Sequence, residues 1–454
     1  MRTIISFCAA MLFIITPAQA QLYQLKPELE APASQALQLM QCKAASLVLP
    51  AQLGQPFTMS VPFESGSLTF EMAPHSVVTA DYKYMRELVD GTLVEIAPGV
   101  ERTYRGTCVE FPEAVVAGSL IRSGFKGRVI WPNGAQSDLL IEPIFGIIAG
   151  AIIGDHAIYK TSDLMNPIAG VCGTVGVGAP VESGVSGGAG APGSLISVRL
   201  ACDTDSEFVL YVAGLPPNLD GTSVTVESKI MAMVNQVNAI YEMSTEDGGL
   251  RITHAVSFIM KRESSILYDI DTGASDAGDE LLNRVRTEWN PGGSPPTQNR
   301  DIVHLFSGKP PLDTAGAMGA IGLAAPATVC TDPLNAAGWS IGDLGPDSIL
   351  VAAHELGHNW GADHCDPDCP GNIMNTTIIN GANIFTDGSI AAIQEHINTA
   401  NSMGGCFNIV ASSIFPTSSI DSVIAMSGDL LAISSPARIV NPPAAGSVSI
   451  YRKI

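Results

Sequence analysis

Three histidines and one glutamate stand within eleven consecutive residues, at a spacing that suits metal-assisted hydrolysis. His354 and His358 are four residues apart, so on a helix both imidazoles would project from one face and share a Zn²⁺ ion. Glu355, next to the first histidine, is placed to act as general base towards a water molecule. Gly361 permits a turn, after which His364 returns as a third nitrogen ligand. Three protein ligands with one open position predict a catalytic metal site rather than a structural one.

A helix has to carry the first two histidines, and the preceding residues predict one. The run 348–353 is apolar and free of helix breakers, and Asp347 or Ser348 is placed to cap its start. Downstream, Met374 follows in the segment Gly371–Asn375. The alternative is a buried helix whose histidines serve only the core, but it requires all the motif positions and the methionine to coincide by chance.

This arrangement resembles the zinc helix and Met-turn of the metzincins, and within them the reprolysin (adamalysin) group. The residues that carry the resemblance are the run HELGHNWG at 354–361 and a Met-turn without a tyrosine two residues after Met374. One departure is Cys365, which stands where reprolysins usually have an aspartate. We expect this difference to affect the structure around the site more than zinc binding itself.

The resemblance implies an α/β catalytic domain over 194–408, built from a twisted mixed sheet, the zinc helix and the Met-turn. It also implies Zn²⁺ as the cofactor, with His354, His358 and His364 as its ligands and Glu355 as the catalytic base. The domain would follow a β-rich prodomain.

Periodicity and apolar runs predict the other elements of this domain. Strands are expected at Ile196–Cys202, Phe208–Val212, Arg251–Ile259 and Ile302–Phe306, and helices at Ser228–Tyr241, Asp279–Trp289 and Ser389–Ala400. By resemblance to the family, Gly319–Ala324 is expected to be an edge strand that pairs with an extended substrate, with a Gly-rich core strand as the alternative. His396, on the last helix, is predicted to be a surface residue rather than a ligand.

The first 20 residues have the features of a secretory signal peptide. Arg2 precedes an apolar core, Ile4–Ile15, and Ala18–Ala20 is a small-x-small cleavage signal. We therefore predict an exported, secreted protein. No later apolar run reaches the roughly 20 residues needed to cross a membrane, so the mature chain is expected not to be membrane-spanning.

Charge and size limit the partners and the architecture. Without Arg2 the chain has 22 basic residues (23 − 1) against 44 acidic ones, a net charge of −22. Such a balance argues against nucleic acid and anionic membrane surfaces as partners. The 454 residues, 46% of them hydrophobic, are enough for two or three domains with cores of their own.

Residues 21–175 are predicted to form the β-rich propeptide, with alternating runs such as Pro56–Phe63. The stretch from Tyr104 to Tyr159 is similar to reprolysin propeptides. Cys172, followed by glycine near the end of this region, resembles the cysteine switch of such zymogens. A thiolate is a strong Zn²⁺ ligand, so Cys172 in the open position would make the propeptide an inhibitor of its own enzyme.

Eight cysteines remain once Cys8 is removed with the predicted signal peptide, and an oxidising compartment favours disulfides. By position we predict the pairs Cys42–Cys108, Cys330–Cys406 and Cys365–Cys369, the second of which is similar to a reprolysin bridge. Cys172 and Cys202 are left over. They form either a fourth disulfide or, with Cys172 as the switch, a buried free thiol at Cys202.

Three further regions complete the chain. Residues 176–193 are rich in Gly, Ala, Pro and Ser and carry a single charge at Glu182. This composition predicts a flexible processing linker.

Asp301 and Asn408 stand where some reprolysins bind a structural Ca²⁺, but the sequence shows no third ligand, so calcium stays an open alternative. Residues 409–454 are predicted to be a C-terminal β extension, similar to one FG-GAP-type repeat, which cannot close a propeller alone.

Together these features predict a secreted, zinc-dependent endopeptidase, made as a zymogen, that hydrolyses peptide bonds of extracellular proteins. Its expected partners are protein or peptide substrates and its own propeptide. The alternative is a secreted adhesion or binding module that keeps a metzincin fold without turnover. Loss of Glu355 would indicate that alternative, and Glu355 is present.

Overall fold

The computed structural model describes most of the chain. The described residues are 23–121, 123–132, 136–165, 170–174, 194–215, 225–243, 250–291, 293, 300–345, 347–366, 369, 371–378, 382, 384–411, 424–427, 430–435 and 447–452. The predicted signal peptide at 1–20 and the predicted linker at 176–193 lie outside them. In the part of the chain that is described, no helix is long and apolar enough to cross a membrane.

The N-terminal region is β-rich, as predicted. It contains helix α1 (Pro27–Ala36) and strands β1 (Gln24–Leu25), β2 (Lys43–Ser46), β3 (Phe57–Phe63), β4 (Gly66–Pro74), β5 (Val78–Glu87), β6 (Leu93–Ile96), β7 (Thr103–Cys108), β8 (Val115–Ile121), β9 (Gly124–Ile130), β10 (Leu139–Pro143) and β11 (Asp155–Lys160). Nine of these strands form one antiparallel sheet in the order β1-β2-β11-β10-β9-β8-β7-β4-β3. The predicted run Pro56–Phe63 corresponds to β3, which forms a short hairpin with β4 in which Phe63 pairs with Gly66.

The second sheet is mixed and carries the residues of the motif region. Its strands from after the predicted linker are β13 (Ser194–Thr204), β14 (Ile252–Arg262), β15 (Ile302–Ser307), β16 (Ala320–Ala324), β17 (Ala337–Ile341) and β18 (Asn408–Ala411), and β12 (Val171–Cys172) joins it from before the linker. The helices are α2 (Ser206–Ala213), α3 (Val226–Met243), α4 (Ala277–Trp289), α5 (Asp347–Asn359) and α6 (Asp387–Ser402). The strand order is β12-β16-β17-β15-β13-β14-β5-β6, with β18 paired to β13.

Strands β5 and β6 precede the predicted linker, yet they extend this second sheet. Strand β5 runs parallel to β14, and β6 pairs with β5 on the outer side. Helix α3 lies between the two large sheets and contacts β14 and α5 as well as β7 and β8. One buried apolar cluster therefore includes Val115 and Ile130 of the first sheet together with Ile230 and Val256 of the second.

One predicted strand in this region is wrong. The apolar run Phe208–Val212 lies in helix α2. The Asp205 carboxylate accepts a hydrogen bond from the Phe208 backbone N–H (2.8 Å) and so caps the helix start. A short apolar run does not by itself distinguish a buried strand from a short buried helix, and the cap decides between them here.

Two predicted disulfides are formed. Cys330 is bonded to Cys406, and Cys365 is bonded to Cys369. The first links the chain before α5 to the segment after α6, and the second closes a small loop that follows the motif.

The predicted pair Cys42–Cys108 is wrong, because both side chains are free thiols. Cys42 lies just before β2 and Cys108 ends β7, and four strands separate β2 from β7 in the sheet order. Cys42 packs against the buried cluster that includes Leu29 of α1, whereas Cys108 belongs to a different buried cluster. A disulfide requires Cα atoms within roughly 7 Å, and the strand order keeps these two apart.

The C-terminal region contributes a separate three-stranded antiparallel sheet. Its strands are β19 (Ile424–Ser427), β20 (Leu430–Ser435) and β21 (Ser447–Arg452), in that order. Strand β18, by contrast, pairs with the start of β13 in the second sheet. The likeness of the C-terminal region to an FG-GAP repeat stays a prediction.

Candidate metal centre

Helix α5 carries the HExxH motif in its C-terminal half and is buried along its whole length. The Tyr241 hydroxyl donates to the Ala353 carbonyl (2.8 Å), which ties α5 to α3. The Asn359 amide donates to the carbonyls of Ala325 (2.8 Å) and Ala337 (2.9 Å). Ala325 follows β16 and Ala337 begins β17, so the end of α5 is held at a defined position beside the sheet.

Three imidazole nitrogens converge at the end of this helix. His358 Nε2 lies 3.0 Å from His354 Nε2 and 3.2 Å from His364 Nε2. Gly361 has a φ of 92°, which L side chains rarely adopt, and it turns the chain so that His364 faces the helix again. The structure thus brings together the three histidines that the sequence predicts as ligands.

Backbone carbonyls orient two of these rings. The Nδ1–H of His354 donates to the Ile373 carbonyl (2.6 Å), and the Nδ1–H of His358 donates to the Ala362 carbonyl (2.7 Å). Each Nε2 therefore presents its lone pair to the centre of the cluster, as a metal ligand must. Burial, assisted by the nearby His364, lowers the pKa of His354 to about 3, so its ring is neutral at physiological pH.

Met374 packs beneath the histidines and explains a glycine inside the motif. Its side chain is fully buried. A Cβ on Gly357 would lie 2.6 Å from Met374 Sδ and 3.1 Å from the Phe385 ring, so no larger residue fits at that position without displacement. The Cys365 backbone N–H donates to the Met374 carbonyl (3.1 Å). The disulfide loop after His364 is thereby attached to the same turn.

Glu355 lies on the side of α5 that faces β16, where it is fully buried. A Cβ on Gly322 of β16 would overlap its carboxylate, so a glycine provides the space that the carboxylate occupies. Oε1 has no hydrogen-bond partner, and Oε2 lies 3.4 Å from the Thr174 hydroxyl. Burial raises the pKa of Glu355 to about 8, against the opposing effects of Cys172 and Thr174. A bound Zn²⁺ would lower that pKa, because a nearby cation favours the carboxylate.

Cys172 completes the cluster. Its Sγ lies 3.5 Å from His358 Nε2, and one donor atom from each of Cys172, His354, His358 and His364 lies within 4.8 Å of all the others. Four ligands of a tetrahedral Zn²⁺ site are separated by roughly 3.3–3.8 Å, given Zn–N and Zn–S bonds of about 2.0–2.3 Å. The donor types and their spacing therefore fit a zinc ion. No other such group of three or more His, Cys, Asp or Glu side chains occurs among the described residues.

The alternative disulfide between Cys172 and Cys202 is not formed. Both are free thiols, and Cys202 is buried in β13 within the main apolar cluster. Burial raises the pKa of Cys172 well above its ordinary value, with the Glu355 charge acting in the same direction. Coordination to Zn²⁺ would have the opposite effect, since a coordinating thiol is deprotonated.

The segment around Cys172 lies along β16 as a short parallel strand, with Val171 opposite Ala320 and Cys172 opposite Gly322. The Cys172 backbone N–H donates to the Thr376 carbonyl (2.9 Å), so the segment is held from both sides. The sequence predicts β16 as an edge strand, and in this structure β12 pairs along its outer side.

Thr174 and Gly322 are the site residues that sequence reasoning missed. The Thr174 hydroxyl accepts a hydrogen bond from the Ala324 N–H (3.1 Å) while it lies beside Glu355. No local pattern marks either residue, because Thr174 is 181 positions from the glutamate it contacts. The only available signal is the closeness of Thr174 to Cys172 in the sequence.

Three other residues named in the sequence analysis lie outside this cluster. Asp301 Oδ2 accepts a hydrogen bond from the Arg199 backbone N–H (2.7 Å), and Asn408 begins β18, so a calcium role for them stays a prediction. His396 is buried, which corrects the expectation of a surface residue. Its Nε2 lies 2.8 Å from the Val329 carbonyl, and its ring stands edge-on to Trp360, because α6 packs against the end of the motif.

Residues 206–414 match the family model described as Metallo-peptidase family M12B Reprolysin-like. The match and the cluster of His and Cys side chains together identify a metallopeptidase domain. The matched residues, which run from α2 to β18 and include the motif helix, form a reprolysin-like metallopeptidase domain. The protein is therefore a zinc metalloprotease.

Comparison with solved structures gives distant similarities. Metalloproteinase-II from Bacteroides fragilis has 12% sequence identity and a TM-score of 0.41, over 76% of this chain and 92% of that one. A chain from the structure of a chaperone-substrate complex has 12% identity and a TM-score of 0.30, over 63% of this chain and 41% of that one. Comparison with curated proteins gives no match.

Proposed function

We propose that this metalloprotease is a secreted endopeptidase made as a zymogen, with metzincin-type chemistry at His354, His358 and His364. The observation that carries the proposal is the convergence of these three histidines with Cys172. Secretion rests on the composition of residues 1–20 alone, which lie outside the described residues.

The histidines would hold the zinc through Nε2. Neutral rings whose Nδ1–H groups are already bonded to carbonyls need no rearrangement to bind a metal. When bound there, Zn²⁺ supplies a Lewis acid that polarises a peptide carbonyl and makes water more acidic.

Glu355 is the general base of the proposed reaction. Its carboxylate is buried beside the cluster, and Oε1 has no partner in the protein. It would accept a proton from the attacking water as the water oxygen bonds to the peptide carbonyl carbon. The same proton then passes to the leaving amine nitrogen when the C–N bond breaks. Gly322 keeps open the space in which this carboxylate stands.

The substrate would be an extended stretch of polypeptide lying along β16. Support comes from the segment that occupies this strand now, since Val171 and Cys172 pair with it in extended conformation. Main-chain hydrogen bonding to a sheet edge accepts many sequences and matches hydrolysis of unfolded protein segments.

Cys172 is the inhibitory ligand of the proposed zymogen. With its Sγ beside all three histidines, the position that a substrate or water would need is filled. Thr174 adds a second contact, because its hydroxyl lies beside the Glu355 carboxylate. One short segment thus covers both the metal-binding atoms and the base.

We expect the Cys172→Ala precursor to cleave casein before any processing, whereas the unprocessed wild-type chain does not. The gain in rate should be at least about tenfold, the factor that corresponds to roughly 1.4 kcal/mol of lost inhibition. Casein hydrolysis and zinc content are measured together on uncut, purified protein.

A companion variant is Thr174→Val, which keeps the thiol and removes only the hydroxyl. It should raise precursor activity less than Cys172→Ala, because Cys172 still fills the cluster. A folded, zinc-loaded Cys172→Ala precursor without any gain in activity would rule out the inhibitory role. Zinc binding without casein cleavage in every form, including the processed one, would favour the binding-module alternative.

A further inference from the structure

The sheet that supports the metal centre is completed by strands from the region before the predicted linker. Strand β5 pairs with β14 over a continuous register from Phe258 opposite Lys83 to Arg262 opposite Glu87. Strand β14 therefore lies inside the sheet. Without β5, it would present a row of unpaired backbone N–H and C=O groups along an edge.

Buried charges also cross this boundary. The fully buried Arg262 guanidinium lies 2.7 Å from Glu87 Oε2 of strand β5. Arg105, on β7, forms an ion pair with Glu242 of α3 and donates to the Asn235 carbonyl (2.8 Å). Arg262 would keep two acidic partners of its own region if Glu87 left. The larger cost falls on the buried Arg105–Glu242 pair, because separating its two charges would leave each of them without this partner.

The apolar packing is continuous as well. Val77 directly precedes β5 and Tyr84 lies in it. Val115, Ala117 and Ile130 belong to the first sheet. All five are buried in the same cluster as the residues of α3 and β14. Separating the two regions would expose this cluster to water, and its burial is the main favourable term in folding.

The segment that covers the metal centre is attached much less extensively. Strand β12 has only two residues, and Cys172 and Gly173 make short backbone contacts to Thr376 and Gly322. The N-terminal region is therefore attached in two ways. A short strand lies over the metal centre, and a much larger interface is formed by β5, the buried ion pairs and the shared apolar cluster.

We propose that the N-terminal region, residues 23–165, stays bound to the metalloprotease domain as a non-covalent subunit after the chain is cut between 176 and 193. Strands β5 and β6 remain part of the catalytic sheet, and activation requires only that residues 170–174 leave the cleft. This inference rests on the proposed zymogen for its activation step. The retention itself follows from the β5–β14 interface.

The test uses the full-length chain with a specific protease site inserted between Gly187 and Gly188. After complete cleavage, size-exclusion chromatography in native buffer should show both fragments at the elution volume of the uncut chain. Denaturant should be needed to separate them. Two separate native fragments, with the C-terminal one folded and active on casein, would overturn the inference.

Two matched variants locate the interface. Glu87→Gln removes the negative charge that pairs with the buried Arg262 guanidinium. The fragments of this variant should therefore separate at a lower urea concentration than those of the wild type. Glu95→Gln, on the exposed side of β6, should release them at the wild-type concentration. Equal release concentrations for both variants would show that the β5 contact does not hold the subunit. The same cut is made in the Cys172→Ala protein, in which no thiol can fill the metal centre. If that cut protein co-elutes but never cleaves casein, retention stands and the proposed peptidase function fails.

Discussion

The Glu355→Gln variant is expected to retain its zinc and to lose at least about 10²–10⁴-fold in the rate of peptide hydrolysis. The amide keeps the size of the side chain, so the fit against Gly322 is preserved. It cannot accept the proton from the attacking water at the pH of the assay. The comparison is made in a Cys172→Ala background, so that no thiol competes for the metal in any sample.

Glu395→Gln is the matched control for this variant. Glu395 is an exposed residue of α6, so the same chemical change there should leave casein cleavage and zinc content unaltered. A zinc-loaded Glu355→Gln protein that hydrolyses casein at nearly the control rate would show that another group carries the proton.

The His358→Ala variant is expected to lose zinc and activity together. His358 Nε2 is the central donor, at 3.0 Å from His354 Nε2, 3.2 Å from His364 Nε2 and 3.5 Å from Cys172 Sγ. Loss of a group that merely orients a ligand costs 10–100-fold in metal affinity, so loss of the ligand should cost on the order of 100-fold or more. Zinc is measured by mass spectrometry after dialysis against a weak chelator.

His396→Gln serves as the control, because His396 is buried close to the motif but points at the Val329 carbonyl. It should bind zinc as the wild type does, with at most a loss of thermal stability. Full zinc occupancy and full rate in His358→Ala would contradict the ligand assignment.

The core of the metal centre could be predicted because its spacing is local. A helix places His354 and His358 on one face, and Gly361 turns the chain before His364, all within eleven residues. Cys172 could be predicted only through resemblance to a zymogen family, since nothing in its neighbourhood specifies which histidines it meets.

The residues that line the base could not be predicted. Gly322 and Thr174 reach Glu355 through strand pairing between distant segments, and no periodicity records such a contact. The same reason explains the wrong Cys42–Cys108 pair, since the order of strands in the first sheet decides which cysteines meet.

The placement of β5 and β6 could not be predicted either. A pattern that predicts a strand does not say which sheet the strand joins. Only the structure shows that strands from before the predicted linker complete the sheet of the metalloprotease domain. The strand predicted at Phe208–Val212 failed for a simpler reason, because Asp205 caps a helix there.

The zinc coordination of the full-length precursor tests the central claim most directly. X-ray absorption at the zinc edge should show one sulfur ligand at about 2.3 Å and three nitrogen ligands at about 2.0–2.1 Å. In the Cys172→Ala precursor the sulfur signal should disappear while zinc and the three nitrogens remain. A wild-type precursor whose zinc has only nitrogen and oxygen ligands, or more than one sulfur, would contradict a site built from Cys172, His354, His358 and His364.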